Sequence, residues 1–574
     1  MSCPEAHAYW KPSPEGSWAE RTFDPKLGAE RRWFPGTTCN TCWNAFDSYV
    51  AADHGARTTL IHDRPIYGSV ARLSFAELQA EVGELAAVMR SFSAGKGNRV
   101  ITDMSMVPQA LLAMLASSRL SAIHSVVVGD FAAHEHATRF DDTAPKLIVS
   151  AACEIEPAPR TPGRDIDYDG ASGRAMTGRE TADCVTVAAT DPLYNSGTTD
   201  QRKSVVRDNG VHRVAQRWTI EHHYGLAPGE VFRGASDLGR IVGHSHICSA
   251  PLLHGFPKMV YESEPLSTPD AGALCRVIAD DHVAALITAP TALCTVREEA
   301  VGSARIADHD VSAFRTLFLV GERSDAATVQ WSEEMLGRPQ FSHWWQTATG
   351  CAMLRNPFSL VPLAVKHGSP GVAMPDFDIR VLDRTGHNAA PDTLGNTVCK
   401  LLLPPSGFRM LWNARAPSRE NYLEEPFSFH ATSGAGIIDA DGHVSVMART
   451  DDMINVTSHR RDGGGERRSS RHRRVRGRSR GGCHGGPAPA RLPFGEGRHG
   501  PRPSRREAGT DRRRGHLQDH APGEAAAHDP LGHGAARRDA HDRGQRALQH
   551  PRRHRRPCHL DETAEAPTIR GLLG

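Results

Sequence analysis

The chain has 574 residues, with 68 Lys plus Arg against 66 Asp plus Glu and a formal charge of +2. Its length exceeds the about 100 to 200 residues of one domain, so more than one is expected; the near-neutral balance gives no general attraction to nucleic acid, membrane surface or acidic partner. MSCPEAHAYW lacks a basic leader with an apolar run behind it, and no apolar stretch nears the about 20 residues of a membrane span, so a cytoplasmic location without a membrane partner is expected.

In chain order, Cys39 and Cys42 form a lone C-x-x-C with no second Cys or His pair at zinc spacing. Twelve cysteines spread from Cys3 to Cys558 are too sparse for a disulfide framework. A structural role for the pair is the plainer reading, beside metal or redox chemistry. Ser74 to Ser91 carries Leu, Val and Ala at helical spacing, and Ser125 to Val128 is a short β-branched run. Pro157 to Asp183 turns polar and rich in Gly and Pro, as a surface loop does. Helix-then-strand patterning recurs at Gly272 to Thr288. Strands are expected at Thr316 to Val320 and at Asp378 to Leu382, the latter ending in the turn Asp383-Arg384-Thr385-Gly386. Such alternation predicts an α/β fold.

After Arg460 the chain changes character. Residues 461–574 hold no Lys, Trp or Tyr and one Phe, Phe494, while Arg, Gly, Ala, Pro and His dominate. Without apolar periodicity such a segment cannot offset the entropy of ordering, so disorder is expected. An Arg-rich tail can bind nucleic acid through phosphates, but no interleaved aromatics offer base stacking, and that partner is the weakest reading. GC-rich DNA read out of frame yields the same residues. Back-translated with C or G at third positions and shifted by one nucleotide, Asp529-Pro530-Leu531-Gly532 becomes Thr-Arg-Ser-Gly. Gln549 to His559, shifted likewise, can encode Asn-Ile-Pro-Ala-Ala-Ile-Asp-Asp-Pro-Ala-Ile.

The strongest local signal is Tyr194-Asn195-Ser196-Gly197-Thr198-Thr199-Asp200-Gln201-Arg202-Lys203-Ser204. Hydroxyls and small residues let backbone N–H groups close on phosphates, and Lys203 adds a point charge. Alone, the cluster reads equally as a surface turn. Eight further motifs follow it in order: Val206-Arg207-Asp208-Asn209-Gly210, Ala235-Ser236-Asp237, Val242-Gly243-His244-Ser245, Thr288-Ala289-Pro290-Thr291-Ala292, Gly321-Glu322-Arg323, His343-Trp344-Trp345-Gln346-Thr347, His367-Gly368-Ser369-Pro370, and Arg449-Thr450-Asp451-Asp452-Met453-Ile454-Asn455-Val456.

This series resembles the propionyl-CoA and acetyl-CoA synthetases of the adenylate-forming superfamily along nearly all of residues 1–460. The resemblance implies an adenylation domain over 1–450, of which 1–70 is an N-terminal extension, built from two α/β subdomains and a small β-barrel. A hinge at 451–460 would follow, and the Arg-rich 461–574 would stand where the family has a lid carrying a catalytic Lys. It implies ATP, Mg²⁺, CoA and a small carboxylic acid as reaction partners. Ser196, Gly197, Thr198, Thr199 and Lys203 would form the phosphate loop, with Gly321, Glu322 and Arg323 on the adenine side. Trp344, Trp345, Gln346 and Thr347 would lie against adenine, acyl group and α-phosphate, Trp345 shortening the acyl pocket to a few carbons. Arg449 would bind ribose, Arg460 the nucleotide, Asp451 would act as hinge, and Thr268 and Thr457 would contact CoA.

The departures from the pattern fall on the chemistry. Asp200, Arg202 and Ser204 stand where the loop has Gly, Pro and Gly, and Asp200 sets like charge beside a triphosphate. Ala348 replaces the carboxylate that holds Mg²⁺, so no metal ligand is assigned. Gly434 replaces the ribose-binding Asp, Ser458 replaces a Gly near the CoA path, and Asp130 and Asp376 replace turn glycines. The Gly-Arg expected for the CoA 3′-phosphate is missing from Ala158-Pro159-Arg160, and no catalytic Lys is identified even in the shifted frame. A short-chain acyl-CoA synthetase impaired in this copy is therefore expected, with a catalytically inactive remnant that keeps nucleotide binding as the alternative.

Overall fold

The structure, a computed structural model, describes residues 8–24, 32–127, 133–151, 165–167, 181–197, 204–263, 268–299, 309–375, 377–401, 423–424, 429–449, 453–456, 459–462 and 515–519, with Ala6, Leu266 and scattered positions between 403 and 412. The strands and helices used below are β1 (Thr58–Arg64), β2 (Ser69–Ser74), α1 (Phe75–Ser91), β3 (Arg99–Asp103), α2 (Pro108–Arg119), β4 (Ile123–Val127), β5 (Leu147–Ala151), β6 (Asp165–Asp167), β7 (Pro192–Gly197), β8 (Ser204–Asp208) and α3 (Asn209–His222). Then come β9 (Val231–Ala235), β10 (Lys258–Tyr261), α4 (Ala273–Asp280), β11 (Val283–Thr288), α5 (Pro290–Glu299), β12 (Thr316–Leu319), α6 (Ala326–Leu336), β13 (Gln340–Trp344), β14 (Leu354–Arg355) and β15 (Val372–Ala373). The last are β16 (Asp378–Leu382), β17 (Gly395–Lys400), β18 (Leu423–Glu424), β19 (Phe429–Ile438), β20 (Val444–Arg449), β21 (Met453–Val456), β22 (His459–Asp462) and β23 (Gly515–Asp519).

Two large sheets carry the α/β part. The nine-stranded sheet runs β15-β14-β13-β12-β11-β9-β10-β1-β2, and its centre from β13 to β1 is parallel. Its central strands β10, β11 and β12 are buried on both faces, which suits the apolar run of β11 (VAALIT, all six residues buried). The second sheet runs β8-β7-β4-β3-β5-β23-β6. Between the sheets α1 and α2 bury Leu78, Val82, Leu85, Leu111, Met114 and Leu115 in the largest apolar core. The sequence marks the start of α1 fully: Ser74 Oγ accepts from Glu77 N at 3.2 Å, and Ser74 N donates to Glu77 Oε2 at 2.8 Å. This reciprocal cap is worth about 1 kcal/mol.

The small unit is an antiparallel five-stranded sheet, β16-β17-β19-β18 with β20 on β19. It is joined to the nine-stranded sheet by a bridge between Gly371 and Val444. Gly371 needs to be glycine, since it sits at φ +121° and a Cβ would meet the Arg355 carbonyl carbon at 2.3 Å. The expected turn after β16 is present: Asp383 Oδ1 accepts from Thr385 N and His387 N.

Short strands stand within two stretches read without them: β6 within 157–183, and the end of β22 and β23 within 461–574. β23 pairs antiparallel with β5 and β6, satisfying the N–H and C=O groups that β5 turns away from β3. A backbone ladder does not ask for an apolar pattern, so composition could not disclose it. The rest of the tail, Asp130 and Asp376 lie outside the described residues.

Candidate functional site

β11, β12 and β13 are parallel neighbours, so the motifs behind them open on one edge of the sheet. Crevices at the carboxyl ends of parallel strands are where open α/β sheets receive ligands. Behind β11, α5 starts at Pro290, and Thr291 N donates to Glu322 Oε1 at 2.9 Å. That bond satisfies a helix N-terminal N–H and fixes the Gly321-Glu322-Arg323 loop behind β12. Gly321 supplies the positive φ of +105° that this loop requires. Arg323 lies along Gly368, where a Cβ would come 3.3 Å from its Nη2. Behind β13, Trp345-Gln346-Thr347-Ala348 forms a turn closed by Thr349 N donating to Gln346 O at 3.0 Å and Gln346 N donating to Thr349 Oγ1 at 3.2 Å.

The small sheet docks on this turn. Gln346 Nε2 donates to the Thr432 carbonyl, and His430 Nε2 lies 3.3 Å from Gln346 Oε1. Gly434 faces Trp344: a Cβ there would lie 3.6 Å from Trp344 Cζ2. Gly434 is also the cross-strand partner of Arg449, so the two positions expected to hold ribose are adjacent and beside Trp344. No spacing in the sequence could have revealed that pairing.

The third wall is the β7–β8 hairpin. Ser196 and Gly197 end β7, and Gly197 pairs with Ser204, which brings both ends of the phosphate-loop candidate together. Thr198, Thr199, Asp200, Arg202 and Lys203 lie outside the described residues. From β8 the buried Arg207 reaches across and donates through Nη2 to the Thr347 carbonyl. Gly350, at φ +71°, leaves the room, since a Cβ would sit 2.8 Å from Arg207 Cζ. Burial lowers the Arg207 pKa, while Tyr194 beside it works in the opposite direction. Arg207 stood in a motif without an assigned role; its bond to Thr347 ties the hairpin to the Gln-Thr turn.

Trp345 closes the inner end. Its ring lies 5.1 Å from that of His246 and packs with Leu193, Tyr194 and Ile241. Behind them Tyr194 stacks on His244 at 4.3 Å and on His124 at 5.3 Å. Burial pushes His124 and His246 down to about 3 and His244 well below its ordinary value, so these rings are neutral near pH 7. Burial likewise pushes Tyr194 up to about 12, keeping it protonated. The result is an uncharged aromatic wall suited to a short aliphatic chain. Single histidines inside apolar runs carry no spacing signal, which is why the sequence did not mark His124 or His246.

Other expected residues are not gathered here. Thr268 is half-buried, and its carbonyl accepts from Tyr261 Oη. Asp451 and Thr457 lie outside the described residues; Arg460 is placed by β22, paired with Asn455 of β21. Ala348 is 3% exposed and presents a methyl group, while the neighbouring Thr347 carbonyl is taken by Arg207. Mg²⁺ is usually held through one or two carboxylates, and this turn offers none, so it does not fit the ion.

The AMP-binding enzyme family matches residues 49–400. The human mitochondrial acyl-CoA synthetase short-chain family member 3 is 36% identical over 506 residues, covering 80% of this chain and 72% of that protein. The propionate–CoA ligase of Salmonella typhimurium is 33% identical, covering 78% of each chain. In fold, the acetoacetyl-CoA synthetase of Streptomyces lividans superposes with a TM-score of 0.66 at 19% identity, over 79% of this chain and 73% of that one. A Brucella canis acyl-CoA synthetase gives 0.65 at 21%, over 80% of each. Among the described residues no helix is long and apolar enough to cross a membrane.

Proposed function

Because the chain belongs to the AMP-binding enzyme family, among the short-chain acyl-CoA synthetases, we propose that its inherited activity is propionate or acetate ligation in the cytoplasm and that this copy is catalytically impaired. The family reaction has two steps. A carboxylate oxygen attacks the α-phosphorus of ATP and pyrophosphate leaves; the CoA thiol then attacks the acyl carbon and AMP leaves. Since the nucleophile comes from the substrate, the protein contributes position and charge stabilisation.

In this chain Trp345, with His246 and Ile241 behind it, bounds the acyl chain. The Gly321–Arg323 loop and Trp344 face the base, and Arg449 and Gly434 the ribose. Arg207 holds the Thr347 carbonyl and thereby the turn that faces the reacting phosphate. The observation that carries the impairment is the buried Ala348 in that turn, where a methyl group stands and no carboxylate is offered to the metal of ATP. Loss of one positioned charge-stabilising group costs about 10²- to 10³-fold, and Gly434 and Asp200 add to it. The retained base and acyl walls favour a residual affinity for nucleotide, which is the second reading.

The tail fits a frame change near codon 460. The match to the human relative covers 80% of this chain, the share expected if residues 461–574 lie outside it. The coding DNA tests this directly: absence of a lid sequence in another frame rejects it. Activity is tested by pyrophosphate release from the purified full chain with propionate, ATP, Mg²⁺ and CoA. A rate at least about 10³-fold below that of the Salmonella ligase is expected; an equal rate overturns the proposal.

A further inference from the structure

Away from the crevice, two cysteines meet where the C-x-x-C enters the core. Thr38–Cys39 pairs antiparallel with Val187–Ala188, Cys39 opposite Val187. Beyond that pair the chain turns into a helix at Thr41–Cys42, and Cys184 lies three residues before Val187. The strap carrying Cys184 is held down on all sides. Val185 N donates to Arg119 O at 2.8 Å, Asn40 Nδ2 donates to Val185 O at 2.8 Å, and Arg119 Nε donates to Ala182 O. The Sγ atoms of Cys42 and Cys184 and a carboxylate oxygen of Asp47 all lie within 4.8 Å of one another. Cys42 is fully buried and Cys184 half-buried, and both are free thiols.

Two sulfurs and a carboxylate suggest a metal, but Arg119 argues against one. Its Nη1 lies 2.9 and 3.0 Å from the two Asp47 oxygens and 3.8 Å from Cys42 Sγ. A divalent ion would have to share these ligands with a guanidinium that cannot deprotonate. Burial, the neighbouring Cys184 and Asp47 hold the Cys42 thiol well above its ordinary value, which Arg119 offsets only in part, so the less buried Cys184 is the attacking member and Cys42 the resolving one.

We infer that Cys42 and Cys184 form a peroxide-reactive thiol pair that closes to a disulfide. Cys184, the accessible member, attacks one peroxide oxygen; the O–O bond breaks, Cys184 becomes a sulfenic acid and one water leaves. Cys42 Sγ then attacks the Cys184 sulfur; the S–S bond forms, the S–O bond breaks, and a second water carries away the Cys42 proton. Two thiols are oxidised by two electrons and one hydrogen peroxide is reduced. With the two Sγ atoms within 4.8 Å, side-chain rotation and a small backbone shift bring them to the about 2 Å of an S–S bond. The bond would tie the segment beginning at Cys42 to the strap that leads into β7.

The full chain is treated with hydrogen peroxide, free thiols are alkylated after quenching and unfolding, and the cysteines are counted and mapped by mass spectrometry. Of the twelve cysteines, ten are expected to alkylate, with one disulfide joining the Cys42 and Cys184 peptides and reversal by dithiothreitol. Under the same treatment Cys184→Ser should keep all its remaining thiols. Twelve alkylated cysteines, a Cys39–Cys42 bond within one peptide, or Cys184 sulfinic acid beside an intact Cys42 thiol would each overturn the assignment. The map of the unaltered chain decides even where the variant fails to fold.

Discussion

The carboxyl edge of β11, β12 and β13 and the interior under α3 and β10 have departed from ordinary packing in opposite ways. At the edge the hydrogen bonds are made but carboxylates are missing: Thr291 N donates to Glu322, the Gln346 turn closes, and Ala348 and Gly434 bring no carboxylate. In the interior, charged side chains stand unpaired: among the described residues, fully buried Lys258 Nζ on β10 and all three guanidinium nitrogens of Arg213 on α3 have no hydrogen-bond partner. Arg213 has as compensation the Trp10 ring, 4.6 Å from its Cζ. If the proposed function holds, the first difference bears on function and the second on stability.

Restoring charge at the edge should give the largest effect. Ala348→Glu with Gly434→Asp is expected to tighten Mg-ATP binding by about 10²-fold or more, measured by calorimetry. The geometry at 434 allows it, since the closest atom to a new Cβ is Thr432 Oγ1 at 3.2 Å and a small shift suffices. Unchanged affinity would place the defect elsewhere, with Asp200 the next position to revert.

Removing charge from the interior should stabilise. Lys258→Met and Arg213→Leu are each expected to raise the free energy of unfolding by about 1 to 4 kcal/mol, read from urea midpoints at constant slope. A fall instead would mean that these cations have partners beyond the described residues. Part of the Lys258 cost is pH-dependent. Burial pushes it down to about 7, so between pH 7 and its ordinary value of 10.5 the unfolded chain binds more protons and stability rises with pH.

The buried histidines bend the same curve on the acid side. Burial holds His124 and His246 near 3, with His212, His223, His244 and His343 also displaced downward. Below pH 6.5 the unfolded state takes up protons that the folded rings refuse, so stability falls from pH 6.5 toward 3. Urea titrations at pH 7, 6 and 5 should show a progressive loss. His244→Phe and His246→Phe, which keep an aromatic ring in place, should each flatten the slope. An unchanged slope in both would separate the acid sensitivity from this cluster.

Much of this architecture was legible because periodicity and caps are local. The Ser74 and Glu77 pair announces α1, and the apolar runs announce β11 and β12. The site was legible as a series of motifs and illegible as an arrangement. Nothing in the spacing of Gly434 and Arg449 says that they are cross-strand partners, or that Arg207 bonds to Thr347. Pairing is set by register and long-range packing, and a period constrains neither. The same limit hid Cys184 from the C-x-x-C and β23 from the Arg-rich tail.

The smallest expected effect tests whether the acyl wall survived the losses around it. Trp345 is half-buried, packed against His246 on one side and joined to Leu193, Tyr194 and Ile241 on the other. In the proposed reading its indole ends the space open to an acyl chain. Trp345→Ala would lengthen that space, and each methylene admitted is worth about 1 to 3 kcal/mol. The readout has to be binding, since turnover is the property in question. Stable acyl-adenylate analogues of two to six carbons, ranked by the thermal shift they cause, should peak at two or three carbons in the unaltered chain and move to longer chains in the variant. A ranking independent of chain length in both proteins would show that the wall no longer contacts the acyl group. The charge lost at Ala348 and Gly434 would then have been accompanied by loss of the pocket, and the edge and the interior would share one history rather than two.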